Sequence, residues 1–142
     1  MYKIREAKAA DYPAINQLNN ARENMQLIEN NSILEEGFYH ESLQDVDSNW
    51  FLVEKSGEVK AFIFLTIDRT AKVMEIKKFT INHNDRKKGI NDHLYKILEE
   101  VAGQSEVESI RVEISDSYLD VIDFFERNSW IKENQGYVKY RK

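Results

Sequence analysis

The stretch from Glu75 to Val101 constrains this chain more than any other, because three physically different segments follow one another there without a gap. Glu75 to Ile81 is rich in residues that suit a strand, including Ile76, Phe79, Thr80 and Ile81. From Ile90 the apolar positions Ile90, Leu94, Ile97, Leu98 and Val101 recur with helical spacing and define one buried face. Arg86-Lys87-Lys88-Gly89-Ile90-Asn91 joins the two. A helix N-terminus presents unpaired N–H groups and the positive end of the helix dipole, so it favours an anion. Glycine lets the backbone turn and come close to a ligand. Three cationic side chains add positive charge in a chain whose net charge is -5. The segment is a phosphate site in outline, with a solvated basic turn as the alternative on local grounds.

At 142 residues the chain reads as one domain, 1–142, long enough for a substantial core. Hydrophobic residues at 42% and charged residues at 32% fit an ordinary soluble globular protein. The absence of cysteine rules out a disulfide framework, a thiolate metal site and a cysteine nucleophile, and no metal is expected. The N-terminal MYKIREAKAADY has no apolar run of the signal-peptide kind, and no apolar run is long enough to span a bilayer. The expectation is a cytoplasmic protein without a membrane partner. The acidic balance argues against general nucleic-acid binding.

Along the chain, Tyr2 to Ala7 reads as a strand, and Asp11 as the N-cap of a helix with Pro13 just inside its start. A second helix is expected over roughly 33–43, after an Asn-rich segment read as loop. Trp50–Glu54 and Val59–Ile67 are strands around a Ser56-Gly57 turn, and Val73–Ile81 is the next strand. After the helix from Ile90, Gly103 reads as a C-cap and Ser109–Ser115 as a strand. Ser117 with Asp120 opens a helix through about Arg127, and Trp130–Lys132 with Gly136–Arg141 forms a last hairpin. The fold class is α/β (α+β): a mixed, mostly antiparallel sheet of about six to seven strands with helices on both faces.

These pieces resemble the GNAT superfamily of CoA-dependent N-acetyltransferases. The loop resembles its acyl-CoA pyrophosphate motif, Gln/Arg-x-x-Gly-x-Gly/Ala, with Arg86 and Gly89 matching and Asn91 departing. Ile81 and Arg86 meet the wider pattern of an apolar strand end followed five residues later by Arg or Gln. Ile4 to Ala7 with Asp11 is similar to the family's opening, and Glu54 to Ile63 to its second hairpin. Phe124-Phe125-Glu126-Arg127-Asn128-Ser129-Trp130 resembles its late Phe-Tyr-Glu-Lys/Arg-x-Gly-Phe segment. The similarity runs in order over most of the chain.

The resemblance implies acetyl-CoA as co-substrate and a small-molecule or peptide amine as acceptor, attacked directly. The main chains of Phe79 and Ile81 would pair with the pantetheine amides, and Arg86, Lys87, Lys88, Gly89, Ile90 and Asn91 would hold the pyrophosphate. Glu75 stands where several members have a glutamate base; a solvent-facing residue paired with Lys77 or Lys60 is the other reading. His83 is a second base candidate, with a surface histidine as the other reading. Phe125 stands where the family often has a tyrosine acid, and phenylalanine cannot donate a proton. Tyr118 offers a hydroxyl nearby and is the candidate acid. Ser129 replaces the usual glycine, and Asn91 and Asp92 put a side chain and a negative charge at the phosphate loop. An active N-acetyltransferase and an acyl-CoA-binding module without efficient turnover are the two readings. Tyr39, Trp50, Tyr137 and Tyr140, with Glu35, Glu36 and Glu41, are candidates for an acceptor cleft; core or surface aromatics and a solvated helix face are the other readings. Homodimers are common among relatives, so a homodimer is compatible with the resemblance.

Overall fold

The computed structural model describes residues 1–21, 23–26, 33–85, 89–114 and 119–141. Among these, the strands are β1 (Lys3–Glu6), β2 (Met25–Gln26), β3 (Ser48–Lys55), β4 (Glu58–Asp68), β5 (Val73–Ile81), β6 (Ser109–Glu113), β7 (Ile131–Glu133) and β8 (Gly136–Tyr140). The helices are α1 (Tyr12–Asn20), α2 (Glu36–Ser42), α3 (Ile90–Gln104) and α4 (Leu119–Arg127). One sheet runs in the order β1-β3-β4-β5-β6-β8-β7, with β2 paired to β5 off that path. β5 and β6 are parallel and joined through α3; the other pairings are antiparallel. The mixed, mostly antiparallel sheet read from the sequence is present.

Period-two alternation in β4 divides the core in two. Phe62 and Phe64 join Trp50 and Leu52 of β3 under Ile15 and Leu18 of α1, Leu34 just before α2, and Tyr39 of α2. Ala61, Ile63 and Leu65 face the other way, into a larger cluster with Ile90, Leu94 and Leu98 of α3 and Val121, Phe124 and Phe125 of α4. Helices therefore cover both faces. The Trp50 and Phe64 rings stack at 4.1 Å with an 8° interplanar angle, a geometry that adds about 0.5–1.5 kcal/mol to their burial.

The core reading of Tyr39 and Trp50 is the one present: both are buried, with the Tyr39 hydroxyl donating to the Lys8 carbonyl and the Trp50 indole N–H donating to Ser42 Oγ, each at 2.7 Å. Three local expectations are corrected. Gly103 does not end α3, which continues to Gln104; the residue with positive φ beyond it is Glu106. Asp11 occupies the N-cap position of α1 but makes no side-chain capping bond, because its carboxylate accepts from Arg5 Nη1 and Nη2 at 2.8 Å each. The Asn-rich segment contributes a strand, β2. Ser117, read as the start of α4, lies outside the described residues.

Candidate active site

β5 is where the site is built. Its parallel pairing with β6 runs from Val73↔Ser109 to Ile76↔Val112 and stops there. The pairing with β4 shifts register at the same point: Leu65 faces Ile76 and Phe64 faces Lys78, which leaves Lys77 without a Cα partner on β4. A bulge of this kind bends and twists a strand locally. Beyond it β5 stays on β4 to Ile81, while β6 has left its other edge. The side chains of Phe79 and Ile81 are buried in the α3–α4 core, so only their main chains are offered to that edge.

α3 starts at the far end of β5, beyond a short 3-10 turn over His83–Asp85. Gly89 is its N-cap with φ +88, a conformation costly for any residue with a Cβ, and no side chain among the described residues caps the helix. Among the described residues nothing lies within 4 Å of where a Gly89 Cβ would stand. The first N–H groups of α3 are thus without a side-chain cap beside open space, which suits an anionic ligand. The Ile90 side chain is buried in the core, which leaves only its main chain at this end of the helix. Asn91 turns inward: its Oδ1 is buried and has no hydrogen-bond partner among the described residues. Asp92 is exposed. Arg86, Lys87 and Lys88, and the candidate acid Tyr118, lie outside the described residues.

Glu75 projects from the face of β5 opposite Met74 and Ile76, level with Arg111 on β6. It is half-exposed and ion-paired with Lys77 at 3.2 Å, so the surface pairing read as its alternative is present. With Arg111, Glu113 and Glu133 it lines a cleft of about 510 Å³, on a part of the sheet that the α1–α2 core does not reach. Arg111 donates to Glu133 Oε1 at 2.9 Å, and this guanidinium holds the Glu133 carboxyl below the usual carboxylate value. His83 is exposed and belongs to a different cavity of about 500 Å³ beside Arg5, Asp11 and Asn24. Eight residues of near-extended chain, on the order of 25 Å, separate it from Glu75, so the two base candidates do not share a pocket.

Phe125 is fully buried between Phe124, Trp130 and Tyr137, with ring centroids at 5.1, 4.7 and 6.1 Å. It is a core residue. Tyr137 is buried as well and donates its hydroxyl to Glu126 Oε2 at 2.7 Å, whereas Tyr140 is exposed. Asn24 enters the sequence reading only as a member of the Asn-rich segment. It is 3% exposed, donates Nδ2 to the Leu18 carbonyl at 3.0 Å and accepts the His83 N–H on Oδ1 at 2.9 Å. One asparagine among several in a polar stretch carries no signal of such a role.

A splayed parallel pair ending at an uncapped helix N-terminus defines a class, and comparison with known proteins gives that class its name. The model of the acetyltransferase (GNAT) family matches residues 4–130, and the chain belongs to this family of acyltransferases. No curated protein matches the chain. Among solved structures, a GNAT-family acetyltransferase from Staphylococcus aureus Mu50 superposes with a TM-score of 0.83 at 13% identity, covering 100% of both chains. Spermidine N-acetyltransferase from Vibrio cholerae, solved with CoA and spermine, gives 0.77 at 16% identity over 97% of this chain and 92% of its own. Ribosomal-protein-alanine N-acetyltransferase from Brucella melitensis gives 0.77 at 19% identity over 98% and 99%. At these identities the superpositions speak for the fold.

Proposed function

We propose that this protein transfers the acetyl group of acetyl-CoA to the nitrogen of a small-molecule or peptide amine by direct attack. The observation that carries the reading is the parting of β5 from β6 after Ile76, with the uncapped N-terminus of α3 and its left-handed Gly89 at the end of the same strand. One end offers main-chain groups to an amide-bearing arm, the other offers N–H groups to a pyrophosphate. Gly89, Ile90 and Asn91, with Arg86, Lys87 and Lys88 before them in sequence, would hold the phosphates. The main chains of Phe79 and Ile81 would align the thioester, and an N–H there would polarise its carbonyl.

The amine nitrogen forms the new C–N bond as the C–S bond breaks and the thiolate departs. Glu75, facing the acidic cleft, would take the proton that the amine loses, directly or through water. The buried Phe125 offers no proton to the thiolate; that part would fall to Tyr118 or to solvent. The acceptor class is supported by the two named enzymes, one a spermidine and the other a ribosomal-protein-alanine N-acetyltransferase. The half-exposed, Lys77-paired Glu75 and the absence of a hydroxyl at Phe125 favour a second reading, an acyl-CoA-binding module with weak turnover.

Acetyl-CoA at a hundredfold excess over its Kd should stabilise the protein by about 2.7 kcal/mol, read as a rise in Tm. CoA release should then appear with at least one member of a panel of polyamines, amino acids and peptide N-termini. Stabilisation without release from any amine would select the second reading, and no stabilisation would reject both.

A further inference from the structure

The edge of β5 that this reaction needs is already paired. β4 holds one edge through Phe62↔Thr80 and Ala61↔Ile81, and the next residue, Asn82, donates its N–H to the Lys60 carbonyl at 2.8 Å. Main-chain groups alternate between the two edges of a strand, so the N–H and C=O of Ile81 point away from β4. There they meet β2, in the antiparallel register Met25↔Ile81 and Gln26↔Thr80. β6 occupies the same edge further back, over Val73–Ile76, and has left it by this point. β2 therefore sits inside the opening, making the kind of main-chain contact that the amides of a pantetheine arm would make.

The segment is held from one side by a buried anchor. Asn24 bonds back to the Leu18 carbonyl near the end of α1 and across to the His83 N–H just beyond β5. Its own N–H donates to the Ala21 carbonyl at 3.1 Å. The anchor fixes where β2 starts, and among the described residues the pairing takes in two, a strand pair with little stability of its own. A firm anchor with a weak clasp is what an exchangeable segment requires.

We propose that Met25–Gln26, positioned by Asn24, is a self-ligand of β5 that closes the opening in the free protein and must leave Ile81 before acyl-CoA can pair there. The inference rests on the acyl-CoA reading of the β5 edge given above. Binding then proceeds by exchange of one main-chain partner for another, and the apparent affinity is lowered by the fraction of molecules still closed. The closed form also spares the sheet an unpaired inner edge on which a second chain could add.

The chain has no cysteine, so a single engineered pair can lock the clasp. Gln26 and Thr80 face each other across the pair, at a separation that a disulfide can bridge. Oxidised Gln26→Cys/Thr80→Cys should bind acetyl-CoA about tenfold or more weakly than the same protein reduced. The parent should be indifferent to the redox state. Equal binding by the oxidised and reduced forms overturns the inference and leaves the acyl-CoA reading standing. Acetyl-CoA binding to neither the reduced variant nor the parent removes that reading, and the inference with it. Thr80 is buried, so native-state hydrogen exchange on the parent provides the measurement that needs no variant. Saturating acetyl-CoA should lower protection of the Met25 amide by about tenfold or more while the Ile81 amide keeps its own, as expected for a locally opened segment. Undiminished protection at Met25 with acetyl-CoA bound would overturn the inference.

Discussion

Glu75 and Lys77 are the two residues on which the catalytic reading turns. They sit two apart on β5, a spacing that puts both side chains on one face, and their ends meet at 3.2 Å. An ion pair between half-exposed groups is worth only about 0–1 kcal/mol, so an incoming amine can displace it without much loss. The pairing is therefore compatible with a base that waits on a cation. Glu75→Gln should leave acetyl-CoA affinity nearly intact and lower turnover by on the order of 10², the usual contribution of a general base. Steady-state rates with one acceptor, beside thermal shifts with acetyl-CoA, measure both halves. Full activity in the variant would assign proton removal to water or to His83, whose cavity lies at the other end of the strand. Asn91 poses a different problem. It departs from the small residue of the family motif, and among the described residues its buried Oδ1 is an acceptor without a donor, a state that costs about 1–3 kcal/mol. A phosphate oxygen cannot supply that donor.

At the level of elements, the sequence was legible wherever one periodicity ran unbroken. The strand Val73–Ile81 was read with its observed bounds, and α3 followed from Ile90, Leu94, Leu98 and Val101. β2 was not legible, because two residues carry no alternation and Met25–Gln26 is a strand only by virtue of the β5 edge beside it. The opening between β5 and β6 follows from the family resemblance, which offers the main chains of Phe79 and Ile81 to a pantetheine arm, and from no single segment; it coincides with a register shift between β4 and β5. Asp11 is instructive in the same way. Its position at the start of α1 was correct and its bond was not, since Arg5 on β1 takes the carboxylate with two 2.8 Å bonds and Lys8 N–H adds a third at 2.7 Å. The Arg5 guanidinium holds the Asp11 carboxyl below its ordinary value of 3.8. A depressed folded pKa gives stability that is fully present above the unfolded value and is lost as pH falls through the folded one. Asp11→Asn should accordingly unfold at lower urea than the parent at neutral pH, by about 1–3 kcal/mol. The gap should narrow below pH 3.8 as the parent's carboxyl takes up its proton. A gap that stayed constant into acid would mean that Asp11 acts through packing and not through its charge.

The whole molecule is one sheet with a core on each face, and its two tryptophans report on the two cores separately. Trp50 lies in the α1–α2 cluster, against Phe64, Tyr39 and Phe62. Trp130 lies in the α3–α4 cluster, 4.7 Å from Phe125, with its indole N–H donating to the Tyr95 hydroxyl at 3.0 Å. Successive residues of β4 feed opposite clusters, so neither core can be dismantled without removing side chains that order the strand for the other. That argues for one cooperative unit, even though the smaller cluster is built mostly on α1, α2, β3 and β4. Trp50→Phe leaves Trp130 as the only fluorophore of its kind, and Trp130→Phe leaves Trp50. Within each variant, the urea midpoint from tryptophan fluorescence should coincide with that from far-ultraviolet circular dichroism, which is the signature of two-state unfolding. The comparison is made inside each variant, because the two substitutions need not destabilise equally. If Trp50 fluorescence changed at lower urea than the helical signal, the α1–α2 face would be a separate, weaker unit. The segment carrying Asn24 follows α1 directly, so such a unit would open the β5 edge before the rest of the sheet gave way.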